Sequence, residues 1–106
     1  AEYLSGHSAF SAAAAEILKD YTGSDAFGFT HVVPAGSSRV EPGRAPASAI
    51  VFSYATFSEA AEEAGISRRY GGIHFTSGDV VSRDIGRAVG RIVWAKALRL
   101  FSGRGA

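Results

Sequence analysis

Cysteine and methionine are both absent from this chain of 106 residues. Without cysteine there is no disulfide, no thiolate metal site and no sulfur nucleophile, so covalent or metal chemistry falls to histidine, serine or carboxylate side chains. The absence says nothing about compartment. A chain lacking both oxidisable sulfur residues suits work beside a strong oxidant, although so short a sequence can lack them by chance. The missing methionine, even at position 1, reads as the mark of a cut or processed chain. An excess of one charge is lacking too: 11 basic residues stand against 10 acidic, a net charge of +1, which gives no reason to bind a polyanion such as nucleic acid. Basic residues do gather late, at Arg83, Arg87, Arg91, Lys96, Arg99 and Arg104. No aromatic series interleaves them as a base-stacking platform requires, so they read as a solvated helix face.

Long apolar runs are missing as well. The best candidate, Val89 to Phe101, is broken by Arg91, Lys96 and Arg99, and falls short of the ~18 apolar residues of a membrane helix. No secretory leader is visible, which carries no weight if the chain is cut from a longer one. Compartment stays open: the composition is that of a soluble protein, and secreted or periplasmic sites are both compatible with it. What is present is ordinary for a globular domain, with 46 % hydrophobic and 20 % charged residues. A chain this long makes one domain, residues 1–106, and buries roughly 60 to 70 % of its unfolded surface. Its core will be modest.

Three stretches carry helical periodicity. His7 to Tyr21 is alanine-rich, with Phe10, Ala14, Ile17, Leu18 and Tyr21 at three- and four-residue spacing, and Ser5 or Ser8 can cap it. Ser58, followed by acidic Glu59, Glu62 and Glu63, opens a second helix that runs to about Tyr70, where Gly71-Gly72 ends or bends it. A third runs from Gly78 or Asp79 to about Leu100, with Val81, Ile85, Val89 and Ile92 as its apolar stripe and Asp79 to Arg83 as an i, i+4 ion pair. Gly86 and Gly90 share one side of it and invite close approach of the Ala-rich first helix. Ser102 to Ala106 should fray. Thr22 to Phe57 reads as a long loop, or as a small hairpin pairing Gly28–Val33 with Ala49–Tyr54 around residues 36–46. The expected fold is all-α: a helical-bundle fragment of three main helices with that loop or β-hairpin between the first and second.

Two short blocks carry the chemistry. Ser5-Gly6-His7 sits at a helix start, where free N–H groups and the positive end of the helix dipole favour an anion. Alone, it reads more readily as a cap and a polar first-turn residue. Ser67-Arg68-Arg69-Tyr70-Gly71-Gly72-Ile73-His74 supplies a guanidinium able to grip two oxygens of an oxyanion and, past a glycine bend, an imidazole facing the same anion. Arg69 reads as surface, His31 as a solvated loop histidine, and Tyr70 and Trp94 as packing residues.

Together with the Asp25-Ala26-Phe27 loop and the Phe57-Ser58-Glu59-Ala60-Ala61 helix, the two blocks resemble the vanadium-dependent haloperoxidases. More broadly, they are similar to the type 2 phosphatidic acid phosphatases, which share the anion pocket. The family's first motif, an upstream Lys and Arg, has no counterpart here, so the expectation is the C-terminal part of a larger enzyme, missing its N-terminal helices. The resemblance implies vanadate as cofactor, held by Ser5, the Gly6 N–H and Arg68, with His74 as metal ligand and His7 as acid–base imidazole. Hydrogen peroxide and halide would be the substrates and hypohalous acid the product. The alternative within the superfamily is an acid phosphatase with no cofactor, cleaving a phosphate ester through phosphorylated His74. Asp79, one residue later than the phosphatase pattern places its aspartate, would orient His74 or else simply pair with Arg83. A non-catalytic helical fragment is the third reading, and the isolated chain is expected to be inactive. Oligomeric state, including a homo-oligomer, is left open.

Overall fold

A computed structural model of the chain describes residues 2–104. Its elements run α1 (Gly6–Thr22), β1 (Ala26–Val33), β2 (Ile50–Thr56), α2 (Phe57–Tyr70) and α3 (Thr76–Phe101). Three helices form where periodicity predicts them. The segment between α1 and α2 is a hairpin and not a loop, so the domain is a helical bundle carrying a two-stranded antiparallel sheet, not strictly all-α. The reason is local composition: both strands are rich in β-branched and aromatic residues, and they pair Phe29 with Tyr54, His31 with Phe52 and Val33 with Ile50. A register shift between Ala26 and Phe29 coincides with Gly28, at φ 65°. His31 therefore lies on a strand, exposed and stacked on Phe29, and not in a loop.

The caps refine the expected boundaries. Ser5 caps α1, accepting from the Ser8 N–H. Thr56, not Ser58, caps α2, in a reciprocal box with Glu59. Asp25 reinforces that end, because its carboxylate accepts from the Ser58 N–H at 3.1 Å and its carbonyl from the Phe57 N–H at 3.0 Å. α3 begins at Thr76, ahead of the expected Gly78 or Asp79. Its N-cap, Phe75, offers no side-chain hydrogen bond.

α1 and α3 run parallel, with α2 antiparallel to both. What brings them together is small: a Cβ on Gly86 would collide with the Ala9 carbonyl, and one on Gly90 would lie 2.8 Å from that of Ala13. Gly65 of α2 likewise has no room for a methyl group, facing Asp79, Arg83 and Ser8. Among the described residues the buried apolar side chains are Ala12 and Ala15, and the other buried side chains are polar: Ser5, Ser8, Glu16, Asp79 and Ser82. The row of α3 that meets α1 is therefore Ser82, Gly86 and Gly90, one residue per turn and each buried. The stripe of Val81, Ile85, Val89 and Ile92 lies to one side of that row and stays exposed.

Tyr70, expected to pack, is exposed, whereas Trp94 meets Tyr21 edge-on at 6.2 Å. Ser102 and Gly103 still turn back on the end of α3, and the last two positions of the tail expected to fray, 105 and 106, lie outside the described residues. Among the described residues no helix is long and apolar enough to cross a membrane.

Candidate functional site

The start of α1, the end of α2 and the start of α3 meet at one end of the bundle. Ser5 is wholly buried there, and its N–H donates to Ser82 Oγ at 2.8 Å, which ties α1 to α3. Ser8 Oγ lies 2.7 Å from Asp79 Oδ1 and 2.9 Å from Ser5 Oγ. One hydroxyl proton cannot serve both contacts. An ionised carboxylate only accepts, so the Ser8 proton goes to Asp79 and the Ser5–Ser8 bond is donated by Ser5. In this arrangement the Ser5 hydroxyl proton points into the fold. The N–H groups of Gly6 and His7, in the first turn, have no hydrogen-bond partner among the described residues. Both residues are exposed.

Asp79 is the hub. Arg83 grips it through Nε at 2.8 Å and Nη2 at 2.6 Å. Arg69 Nε lies 2.9 Å from Oδ2, an ion-pair distance, at an angle that does not align its N–H for a hydrogen bond. Burial alone would push the Asp79 carboxyl up, but hydrogen bonds from Arg83 and Ser8 and the charges of Arg83 and Arg69 outweigh it and hold it below the usual carboxylate range. The expected Asp79–Arg83 pair is present. Arg69 is a partner of this hub and not a free surface residue, because its place on α2 turns it towards α3.

His74 stands between α2 and α3. The carbonyl of Arg68 accepts from the Ile73 N–H at 3.0 Å and the His74 N–H at 3.4 Å, while Gly72 takes φ 69°. That turn brings His74 back beside the motif arginine. A carbonyl oxygen only accepts, so the 2.6 Å contact between His74 Nδ1 and the Glu2 carbonyl puts the ring proton on Nδ1. The neutral ring then carries its lone pair on Nε2. None of the hydrogen bonds that Asp79 makes among the described residues goes to His74; Glu2 is the ring's partner. Arg68 Nε is buried without a hydrogen-bond partner among the described residues. The open pocket at His74 is lined by Glu2, Arg69, Gly72, Ile73 and Phe75, so the guanidinium lining it is that of Arg69. Ser5, Gly6, His7 and Arg68 stand at the same end of the bundle but do not line this pocket. Sequence reasoning misses Glu2 altogether, since a main-chain carbonyl leaves no signature in residue type.

The chain matches the family model described as the VCPO second helical-bundle domain over residues 1–103. It belongs to that family. Among solved structures it is similar to the apo and holo types of a bacterial vanadium-dependent chloroperoxidase, each with 30 % identity and a TM-score of 0.84 over 89 % of this chain and 20 % of the other. It is also similar to a bacterial vanadium-dependent iodoperoxidase, with 38 % identity and a TM-score of 0.65 over 87 % of this chain and 20 % of that one. The chain therefore spans about one fifth of the length of these relatives. No curated protein matches it.

The donor set fits an oxyanion better than a bare cation. Among the described residues no group of three or more His, Asp or Glu side chains could hold a metal ion. The groups present are an orphaned guanidinium N–H on Arg68, helix-start N–H groups on Gly6 and His7, and one imidazole with a free nitrogen. These are the partners a vanadate or phosphate needs.

Proposed function

We propose that this chain forms one wall of the vanadate site of a haloperoxidase that oxidises halide with hydrogen peroxide to hypohalous acid. The observation that carries the reading is His74, whose Nδ1–H is held by the Glu2 carbonyl and whose Nε2 is left bare at the end of the bundle shared with Arg68 and the start of α1. Holding one ring nitrogen by a hydrogen bond is how proteins orient metal-ligating histidines. His74 would hold the vanadium through Nε2, Arg68 would balance the negative charge, and the Gly6 and His7 N–H groups would bind oxygens. Ser5 would serve by capping α1 and aiming those N–H groups. His7, exposed in the first turn, would move the proton. When bound, vanadate supplies a Lewis-acidic centre that activates peroxide at unchanged oxidation state.

The same bare Nε2 favours a second reading, phosphate-ester hydrolysis with His74 as nucleophile. Vanadate-dependent bromination and phosphatase activity, measured side by side on the full-length protein bearing this chain, separate the two. In the haloperoxidase reading His74→Ala abolishes bromination and vanadium retention, while His7→Ala keeps vanadium and slows turnover by ~10² to 10⁴. Loss of vanadium in His7→Ala with retention in His74→Ala would reverse the two roles. Phosphatase activity lost in His74→Ala, with no bromination in the unmodified protein, would favour the second reading.

A further inference from the structure

We infer that Glu2 is the positioning residue for His74, its side chain anchored at the start of α3 so that its own carbonyl sets which nitrogen of the ring is bare. Three contacts of one residue converge on this. The carbonyl accepts from His74 Nδ1 at 2.6 Å, and carboxylate Oε1 accepts from the Phe75 N–H at 2.9 Å while lying 3.8 Å from His74 Nδ1. The third contact is steric: Gly78 leaves the space that the carboxylate fills, and a Cβ there would overlap it. α3 has no cap from its own N-cap residue, and the Glu2 carboxylate, a negative charge at the helix start, accepts the N–H of that residue, Phe75, from 73 residues away. The His74 side chain is only 8 % exposed, so few other partners for Nδ1 are within reach.

A peptide carbonyl is a weak device unless its segment is held in place. Here the side chain and the main chain of the same residue bracket His74-Phe75, which makes the carbonyl a fixed acceptor. The purpose of a bare Nε2 rests on the proposed function, but the geometry does not.

The test reads the ring nitrogens directly, by long-range proton–nitrogen correlation spectra of the full chain with 15N-histidine, in mildly alkaline buffer. His7 and His31, both exposed, serve as internal references. The expected result is a His74 ring protonated at Nδ1 and bare at Nε2. Glu2→Ala should lose that signature and shift His74 towards the pattern of the two exposed histidines. Glu2→Gln should keep it, since an amide oxygen still accepts from the Phe75 N–H. Gly78→Ala should reproduce the Glu2→Ala shift with Glu2 still present, because the new methyl displaces the far end of a flexible side chain while alanine suits the helix. A His74 ring carrying its proton on Nε2 in the unmodified chain overturns the inference, whatever the variants do. So does an unchanged signature in Glu2→Ala. Absent bromination with the expected spectra would count against the proposed function alone.

Discussion

Replacing Asp79 with Asn should cost the fold about 2 to 4 kcal/mol at neutral pH, a range set by the donors left facing an amide. The amide keeps one oxygen, so either pair of donors around the carboxylate loses its acceptor and meets an N–H₂ group instead. On the Oδ2 side these are the hydrogen bond from Arg83 Nη2 at 2.6 Å and the ion pair with Arg69 Nε at 2.9 Å. Hydrogen bonds to charged groups contribute ~1.5 to 3 kcal/mol each, and breaking a buried ion pair one-sidedly costs ~3 to 5 kcal/mol. The Arg83 and Arg69 side chains are 15 % and 27 % exposed, so water screens part of that and the lower range applies. A domain of this size has ~5 to 15 kcal/mol in all. At ~4 to 8 °C per kcal/mol, thermal unfolding followed by circular dichroism should show a drop of at least ~8 °C. The pH dependence carries the sign. Asp79 has a folded pKa below its unfolded value, so its contribution is complete above about pH 4 and is lost as pH falls through the folded pKa. The gap between the two proteins should therefore narrow in acid. A drop under ~3 °C at pH 7, or a gap that persists unchanged in acid, would refute the hub.

Gly86→Ala should destabilise by ~1 to 3 kcal/mol or more, because the added methyl meets the Ala9 carbonyl and α1 cannot yield without moving as a unit. Gly90→Ala, whose methyl would stand 2.8 Å from the Ala13 carbonyl, should cost less; equal chemical-denaturation midpoints for the two would contradict the packing. Thr56→Ala removes the α2 cap and should cost about 1 kcal/mol, whereas Ser58→Ala should be nearly neutral when both are compared by thermal unfolding. The reverse order would restore Ser58 as the cap.

Much of this molecule is readable from residue order. The three helices follow from periodicity and the Gly86 and Gly90 seam from spacing. The departures have physical causes. Periodicity finds an apolar stripe without saying what covers it, so Val81, Ile85, Val89 and Ile92 stand out in the sequence although the buried contact is made of alanine, glycine and serine. Arg69 is hidden by its neighbour Arg68, and its partner Asp79 lies in another helix. Glu2 is invisible because its contacts join the two ends of the site through a main-chain carbonyl and a carboxylate at the start of a distant helix.

The small-residue seam between α1 and α3 repeats, but only once. Ala9 faces Gly86 and Ala13 faces Gly90, the same pairing repeated four residues on. Sliding α1 by one turn, ~5.4 Å, would seat Ala13 on Gly86 but bring the bulky Ile17 onto Gly90. What such a slide cannot preserve is the Ser8 hydroxyl at Asp79, since Ala12 would take its place and leave the carboxylate short of a donor. The buried polar cluster thus adds to side-chain size in fixing one docking, and with it the position of the first turn of α1 relative to His74. An apolar replacement of that cluster could gain stability and still lose the alignment on which the site depends.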